Sequence, residues 1–384
     1  WQDFELTWIR APSEQFEARA RGLQREMIDL LRSHPSVITW ACHNEPTMIF
    51  TRRHNLEQRP DPALYADACA QDPTRPVFLC SGQMEGDWQR AGDVHSYYGA
   101  LWSARYTDMY EHRFRLNTEF GFEAPASAST LRLSPVVWAR LQHVEDQLPA
   151  LWQYQAELTQ YQVEHLRRQR AICSGGYIHF WLVDLVPQVG CGALDSERQP
   201  KGGYPALQRA SQPLLASLEH DGRQPYALWV CNDMPEAHPD AVIRLQILDA
   251  QDLLLHEQTW TRTLPANTTF RLARADWDIA PAQCARITIE IVSAEGEILA
   301  TNAYAHPFRP SPRPRGYPWK FDQVLGTKVF DRADAPSLAD HNITRVFKLA
   351  PLAARETIAE WALRQRLPHG VVSRLARLID WMTT

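Results

Sequence analysis

Residues 34–46 read HPSVITWACHNEP. An apolar run over 37–42 stops abruptly in His43, Asn44, Glu45 and Pro46. A short continuous apolar run bounded by turn residues reads as a strand buried on both faces, as in a parallel sheet. Such a strand delivers an amide and a carboxylate side by side at its tip. A lone carboxylate there could be a helix cap or a surface charge. Two of them, on separate strand tips that face each other, could do chemistry.

Working outward, residues 14–33 predict a helix. Phe16, Leu23, Met27, Leu30 and Leu31 recur at helical spacing, Ser13 is a suitable N-cap, and His34-Pro35 ends the run. A short helix is expected near 62–70. Further short strands are expected at 76–81, 92–98, 115–121 and 175–184, with a long helix over about 149–173. Apolar strands alternating with helices mean a parallel sheet covered by helices, either a (β/α) barrel or a doubly wound sheet. Neither G-x-G-x-x-G nor G-x-x-x-x-G-K-[ST] occurs at a strand end, so a nucleotide fold has no support. In a barrel, catalytic groups sit at the C-terminal strand ends. Polar residues gather at those ends here: Asn44 and Glu45, then His95, Tyr97 and Tyr98, then Glu119, then Trp181 and Asp184.

Beyond about 224 the pattern changes to period two, through about 304, with turn signals between the runs. This predicts an antiparallel sandwich over 224–307. Residues 308–318 form a stiff proline-rich linker. A tail follows over 319–384, with amphipathic helices expected at about 351–366 and 370–382.

The net charge of −5 gives no reason to expect nucleic acid as a partner. No run of 18 apolar residues offers a membrane span. The seven cysteines are scattered, with no C-x-x-C, so neither a disulfide framework nor a zinc site is expected. Scattered thiols favour a cytoplasmic location, although a targeting segment would lie upstream of residue 1. Fourteen tryptophans are roughly three times ordinary usage. Aromatic planes stack on sugar rings, and they also fill cores; both readings stand for any single Trp.

The second carboxylate is in residues 114–127, FRLNTEFGFEAPAS, where Glu119 ends a strand with Phe120 and Phe122 as its apolar neighbours and Gly121 between them. Glu45 and Glu119 fall at the tips of the second and fifth strands of this stretch, which can face each other across a closed barrel mouth. Two carboxylates about 5 to 5.5 Å apart can act on a glycosidic bond, one attacking the anomeric carbon and the other protonating the leaving oxygen. A Glu at a strand tip is also a common structural ion-pair partner.

At this point the motifs resemble a known family. HPSVITWACHNEP resembles the acid/base signature of glycoside hydrolase family 2, and NTEFGFEAPAS (117–127) its nucleophile signature. GYIHFWLVD (176–184) resembles the family's eighth-strand segment, and ERQPKGGYPALQRA (197–210) the run that follows it. WQDF (1–4) resembles the third-strand end of the β-mannosidase branch. The resemblance covers about 1–220 and implies an α/β chain: the C-terminal part of a (β/α)8 TIM barrel, strands 4–8, then the sandwich and the tail. Upstream domains and three barrel strands of the same polypeptide are expected to be missing. If the 384 residues were the whole polypeptide, such a barrel is expected to be weakly stable or inactive.

The resemblance further implies a retaining exo-β-glycosidase acting on a terminal hexose. Glu45 would be the general acid/base and Glu119 the nucleophile. Asn44 would grip the sugar 2-hydroxyl. Tyr97 would hydrogen-bond the nucleophile, with Tyr98 as the alternative. Trp181 would floor the sugar subsite, unless it simply packs in the core. His95 would lie near that subsite or serve as a structural histidine. Trp1 and Asp3 complete the expected substrate contacts, while Asp184 reads better as a loop anchor than as a sugar ligand. No cofactor is expected, and the sequence offers no evident metal-ligand cluster.

WQDF favours a β-mannoside. A glucuronide is disfavoured because 192–197 lacks the Asn-x-Lys pair that would hold a sugar carboxylate. β-Galactosidase or another family 2 hexosidase is the nearest alternative. A silent carbohydrate-binding or structural piece and a transglycosylase are the alternatives of other classes.

Overall fold

The computed structural model describes residues 1–7, 13–46, 60–82, 93–100 and 105–312. The tail helices expected at 351–366 and 370–382, and the linker beyond 312, lie outside the described residues. The chain divides into two compact units. The first takes in Trp1–His95 and Asn117–Glu119; the second takes in Ser96–Leu116 and the described chain from Phe120 onward.

The first unit begins with β1 (Gln2–Asp3), α1 (Glu14–Leu31), β2 (Trp40–Ala41), α2 (Asp61–Gln71) and β3 (Val77–Phe78). β1, β2 and β3 pair in that order, all parallel. Strand, helix, strand, helix, strand is the arrangement that parallel pairing requires. α1 starts where expected: the Ser13 hydroxyl accepts from the Phe16 N–H at 3.1 Å. Its buried stripe is Ala20, Gln24 and Ile28, with Phe16, Met27 and Leu31 packed alongside. Leu23 and Leu30, expected on that face, are 43% and 71% exposed. Each sits one step, about 100°, off the stripe. The helix therefore faces the sheet through a face that includes Gln24, whose amide donates to the Cys42 thiol at 3.2 Å. Arg21 bonds both oxygens of Asp67, at 2.7 and 2.8 Å, and joins α1 to α2.

The strand expected over 37–42 begins later. Val37 N–H turns back to His34 O, and Arg75 takes the carbonyls of Arg32, His34 and Val37. Ile38 is 68% exposed, so the first half of the apolar run serves the turn out of α1. Backbone pairing runs instead from 39 to 45: Gln2 N–H to Thr39 O, Phe4 to Ala41 O, Cys42 to Phe78 O, Asn44 to Leu6 O, and Glu45 to Ser81 O. The ladder thus carries Asn44 and Glu45 themselves. Trp40, fully buried, donates from its indole to Asp72 at 2.9 Å. The strand expected over 92–98 is β4 (Val94–His95), and the one over 115–121 is β5 (Leu116–Phe120). They pair in parallel, with His95 opposite Glu119.

The second unit continues with β6 (Ala124–Pro125), α3 (Ala128–Leu131), α4 (Pro135–Leu141), α5 (Leu148–Gln169), β7 (Gly176–His179), β8 (Val189–Gly190) and α6 (Gly203–Ala210). α5 buries polar side chains along its length because they satisfy loop carbonyls. Gln155 donates to Phe122 O and Gly192 O, Gln162 to Tyr98 O, and Tyr154 to Gly99 O. Arg167 donates to Ala210 O and Arg168 to Leu218 O. Buried polar groups are tolerable only when bonded in this way.

Two antiparallel sheets follow. β9 (Leu214–His220), β10 (Pro225–Asn232) and β13 (Thr268–Arg274) form one, in the order β13-β10-β9. β11 (His238–Leu248), β12 (Leu254–Leu264), β14 (Arg286–Val292) and β15 (Ile298–Ala305) form the other, in the order β12-β11-β14-β15. The period-two pattern is visible as alternating burial: Ala241, Ile243, Leu245 and Ile247 of β11 and Ile287, Ile289 and Ile291 of β14 all point inward. They share one core with Leu214, Ala216, Leu218, Leu228 and Val230 of the other sheet.

Candidate active site

The first unit brings Glu45, His95 and Glu119 together from three strand ends. His95 Nδ1 lies 2.7 Å from Glu45 Oε1 and 3.3 Å from Glu119 Oε2. One nitrogen or oxygen from each of the three groups lies within 4.8 Å of the others. The imidazole is buried, and the two carboxylate side chains are only partly covered, at 14% and 17% exposure. Reagents of this kind, held between water and protein, can meet a ligand.

Local backbone geometry sets this up. Glu45 has a positive φ of 48°, an uncommon conformation for a residue of this type. Its N–H is bonded to Ser81 O, and Ser81 N–H to His43 O, so the left-handed turn is pinned from both sides. Asn44 sits on the same ladder, and its side-chain oxygen accepts from the Ser81 hydroxyl at 3.1 Å. The amide NH2 remains the donor end of that side chain. One residue earlier, His43 is buried against Asp61.

Two residues that the sequence reading did not single out complete the arrangement. Asp93, buried, accepts from the Gly82 N–H at 2.6 Å and from the Thr118 hydroxyl. It therefore joins the end of β3 to the residue just before Glu119. Gly82 has a positive φ of 63°, and a Cβ there would sit 2.5 Å from His95 Nδ1. Only glycine lets the imidazole lie against this backbone. The single signal in the sequence was a glycine closing a predicted strand.

Trp1 and Asp3 also lie in the first unit. The Trp1 indole donates to Asp3 at 3.0 Å, and its ring packs on Phe78 at 4.6 Å. Burial is the dominant influence on Asp3 and raises its pKa, opposed in part by its hydrogen-bonding neighbours. Burial likewise raises Asp93.

His95 takes the opposite course to an ordinary buried histidine. Burial alone pulls its pKa down. The charge of Glu119, then the bond and charge of Glu45, then Asp93 more than offset this and push it up to about 9. The charged groups facing it are Glu45, Glu119, Asp93 and Asp3. A raised folded-state pKa stabilises the fold fully below the unfolded value near 6.5 and is lost as pH rises through about 9. The difference corresponds to about 3 kcal/mol. Urea unfolding at pH 6 and pH 10 should therefore lose about that much more stability in the native chain than in His95→Gln. Equal losses in the two proteins would refute the assignment of charge to His95.

The sequence suggested no metal-ligand cluster. The spacing of Glu45, His95 and Glu119 would also admit a metal ion. Residues 45, 95 and 119 are far apart in the chain, so no local spacing motif announces them.

The other expected site residues lie in the second unit. Tyr97 and Tyr98 are buried there, Tyr97 edge-on to Phe180 at 6.3 Å and Tyr98 against His112 at 4.9 Å. Trp181 follows β7, and the Phe180–Trp181 peptide bond is cis. Its indole donates to Asp184 Oδ1 at 2.9 Å, and its carbonyl accepts from Ala193 N–H. Asp184 is 2% exposed and anchors its loop.

Comparison with known proteins bears on this arrangement. Residues 7–214, more than half of the chain, match the family described as glycosyl hydrolases family 2, TIM barrel domain. No curated protein sequence matches. The fold resembles the β-D-mannosidase from Dictyoglomus thermophilum, with a TM-score of 0.67 and 19% identity over 82% of this chain and 44% of that one. It also resembles the Amycolatopsis orientalis exo-chitosanase CsxA, with a TM-score of 0.58 and 14% identity over 76% of this chain and 39% of that one. At such identities the likeness is one of fold, and the chain spans less than half the length of either structure. The matched domain is that of a glycoside hydrolase. The chain belongs to glycosyl hydrolase family 2.

Proposed function

We propose that this chain carries the catalytic carboxylates of a retaining exo-β-glycosidase, on the C-terminal strands of a TIM barrel, with a terminal β-mannoside as the favoured substrate. The observation that carries the reading is the approach of Glu45 and Glu119, within 4.8 Å about one imidazole. An approach that close supports the retaining arrangement, with carboxyl groups about 5 to 5.5 Å apart, over the inverting one at roughly 6.5 to 9.5 Å, which leaves room for a water.

Glu119 attacks the anomeric carbon as the bond to the leaving oxygen breaks, and Glu45 gives that oxygen a proton. The products of this step are a glycosyl ester on Glu119 and a free alcohol. Water then attacks the anomeric carbon, its bond to Glu119 breaks, Glu45 takes the water's proton, and Glu119 is released as a carboxylate. His95 gives this scheme its proton inventory. An imidazolium has a proton on each ring nitrogen; passing the Nδ1 proton across the 2.7 Å bond to Glu45 leaves a neutral imidazole and a protonated Glu45, which is the acid. Before that transfer the imidazolium favours the ionised form of both carboxylates, Glu119 lying 3.3 Å away. Asn44, with its NH2 as donor, suits the sugar 2-hydroxyl, a contact that strengthens in an oxocarbenium-like transition state. The resemblance of GYIHFWLVD to the family's eighth-strand segment supports sugar stacking by Trp181.

The preference for mannose rests on WQDF at 1–4 and on Asp3, held by the Trp1 indole. The test is hydrolysis of nitrophenyl β-mannoside, β-galactoside and β-glucosaminide by the polypeptide carrying these residues, with proton NMR of the first-formed sugar. The mannoside should be cleaved fastest and release the β-anomer first. Release of the α-anomer would sink the double displacement. No turnover of any of the three would favour a silent binding piece.

A further inference from the structure

The run ERQPKGGYPALQRA has no part in the chemistry above, yet Lys201 within it is one of the most buried charges in the described chain. The Lys201 and Asp184 side chains are both 0% exposed, with Nζ 2.7 Å from Asp184 Oδ2. Nζ also donates to Ala124 O at 2.9 Å and to Gly190 O at 2.7 Å, so its three donors have three acceptors. The other carboxylate oxygen, Asp184 Oδ1, accepts from the Trp181 indole and from the Gly192 N–H, both at 2.9 Å.

The backbone is cut to fit this carboxylate. A Cβ on Gly190 would lie 2.2 Å from Asp184 Oδ1, and one on Gly192 would lie 2.6 Å from it. Two glycines flanking Cys191 thus let the loop close around the anion. A salt bridge this deep is weak support for stability, because desolvation cancels much of the attraction. What the pair does here is geometric. Lysine holds the carboxylate, and the carboxylate holds the edge of an indole that is itself only partly buried.

We propose that Asp184 and Lys201 are positioning residues that fix the Trp181 indole as a sugar-stacking surface. Neither can touch a ligand, since both side chains are fully covered. The stacking role of Trp181 rests on the function proposed above; the clamp on the indole does not.

Two paired substitutions separate positioning from bulk structure. Removing only one partner strands a buried charge, and such variants are expected to fold poorly. Asp184→Asn with Lys201→Met removes both charges and keeps an oxygen for the indole N–H. Asp184→Leu with Lys201→Met removes both charges and that oxygen. The chain is labelled with 5-fluorotryptophan, and the Trp181 signal is assigned from Trp181→Phe.

The Asn pair should keep the Trp181 fluorine shift and a KM near the native value. The Leu pair should move or broaden that signal alone and raise KM about tenfold or more, with kcat little changed, as loss of uniform binding requires. An unmoved Trp181 signal in the Leu pair, or equal effects of the two pairs, would overturn the proposal. If the signal moves as described while the native polypeptide cleaves no glycoside, the clamp stands and the glycosidase reading fails.

Discussion

Glu119→Gly should lower turnover of an aryl β-mannoside by a factor on the order of 10⁴ or more. Without the carboxylate no ester can form, and the reaction loses its two-step path. Sodium azide should restore part of the rate, because a small anion can enter the space left by the side chain. It attacks from the face Glu119 occupied, and no second displacement follows. The product should be the α-glycosyl azide, of inverted configuration, identified by NMR. Glu119→Gln should be equally inactive but poorly rescued, since the amide still fills the site. Rescue giving the β-azide would place the nucleophile elsewhere. Retention of full activity in either variant would remove Glu119 from the mechanism.

For Glu45 the size of the effect depends on the substrate. General acid catalysis contributes roughly 10²- to 10⁴-fold, and it matters most where the leaving oxygen is basic. Glu45→Ala should therefore be nearly inactive on an alkyl mannoside or a disaccharide. A dinitrophenyl mannoside leaves without a proton and should still form the ester, which then accumulates because water lacks its base. Pre-steady-state measurement should show a burst of phenol followed by slow turnover. The native pH profile should also lose its alkaline limb in this variant, since the proton that His95 shares with Glu45 has no acid to reach. A uniform loss across leaving groups would mean that Glu45 positions the substrate without protonating it.

Much of this was legible in the sequence because buried strands write their pattern locally. The run before Asn44 and the Glu119 segment each announced a strand with a carboxylate at its tip, and Ser13 marked the start of α1. Strand edges were less legible. Val37 and Ile38 look like strand residues, but Arg75, about 38 positions later, draws the local carbonyls into a turn. The face of α1 was misread for a related reason. Gln24 lies inward because Cys42 accepts from it, and hydropathy cannot show such a bond.

The meeting of residues 45, 95 and 119 could be expected only by assuming the barrel. Even then, nothing local indicated that His95 would stand between the carboxylates. The part of Asp93 was similarly hidden, because its partners Gly82 and Thr118 lie on other strands. The sequence announced α5 as a long helix, but the bonding of its polar side chains to distant loops exists only in three dimensions.

That helix has a kinetic consequence. The segments around 98–99, 122, 192, 210 and 218 share no sequence neighbourhood, yet each rests a carbonyl on α5. None can detach without stranding a donor on the same rod, so their breathing motions are tied together. Amide exchange across these five places should follow one common opening, and the loops of the second unit should keep their mutual spacing until the rod itself melts.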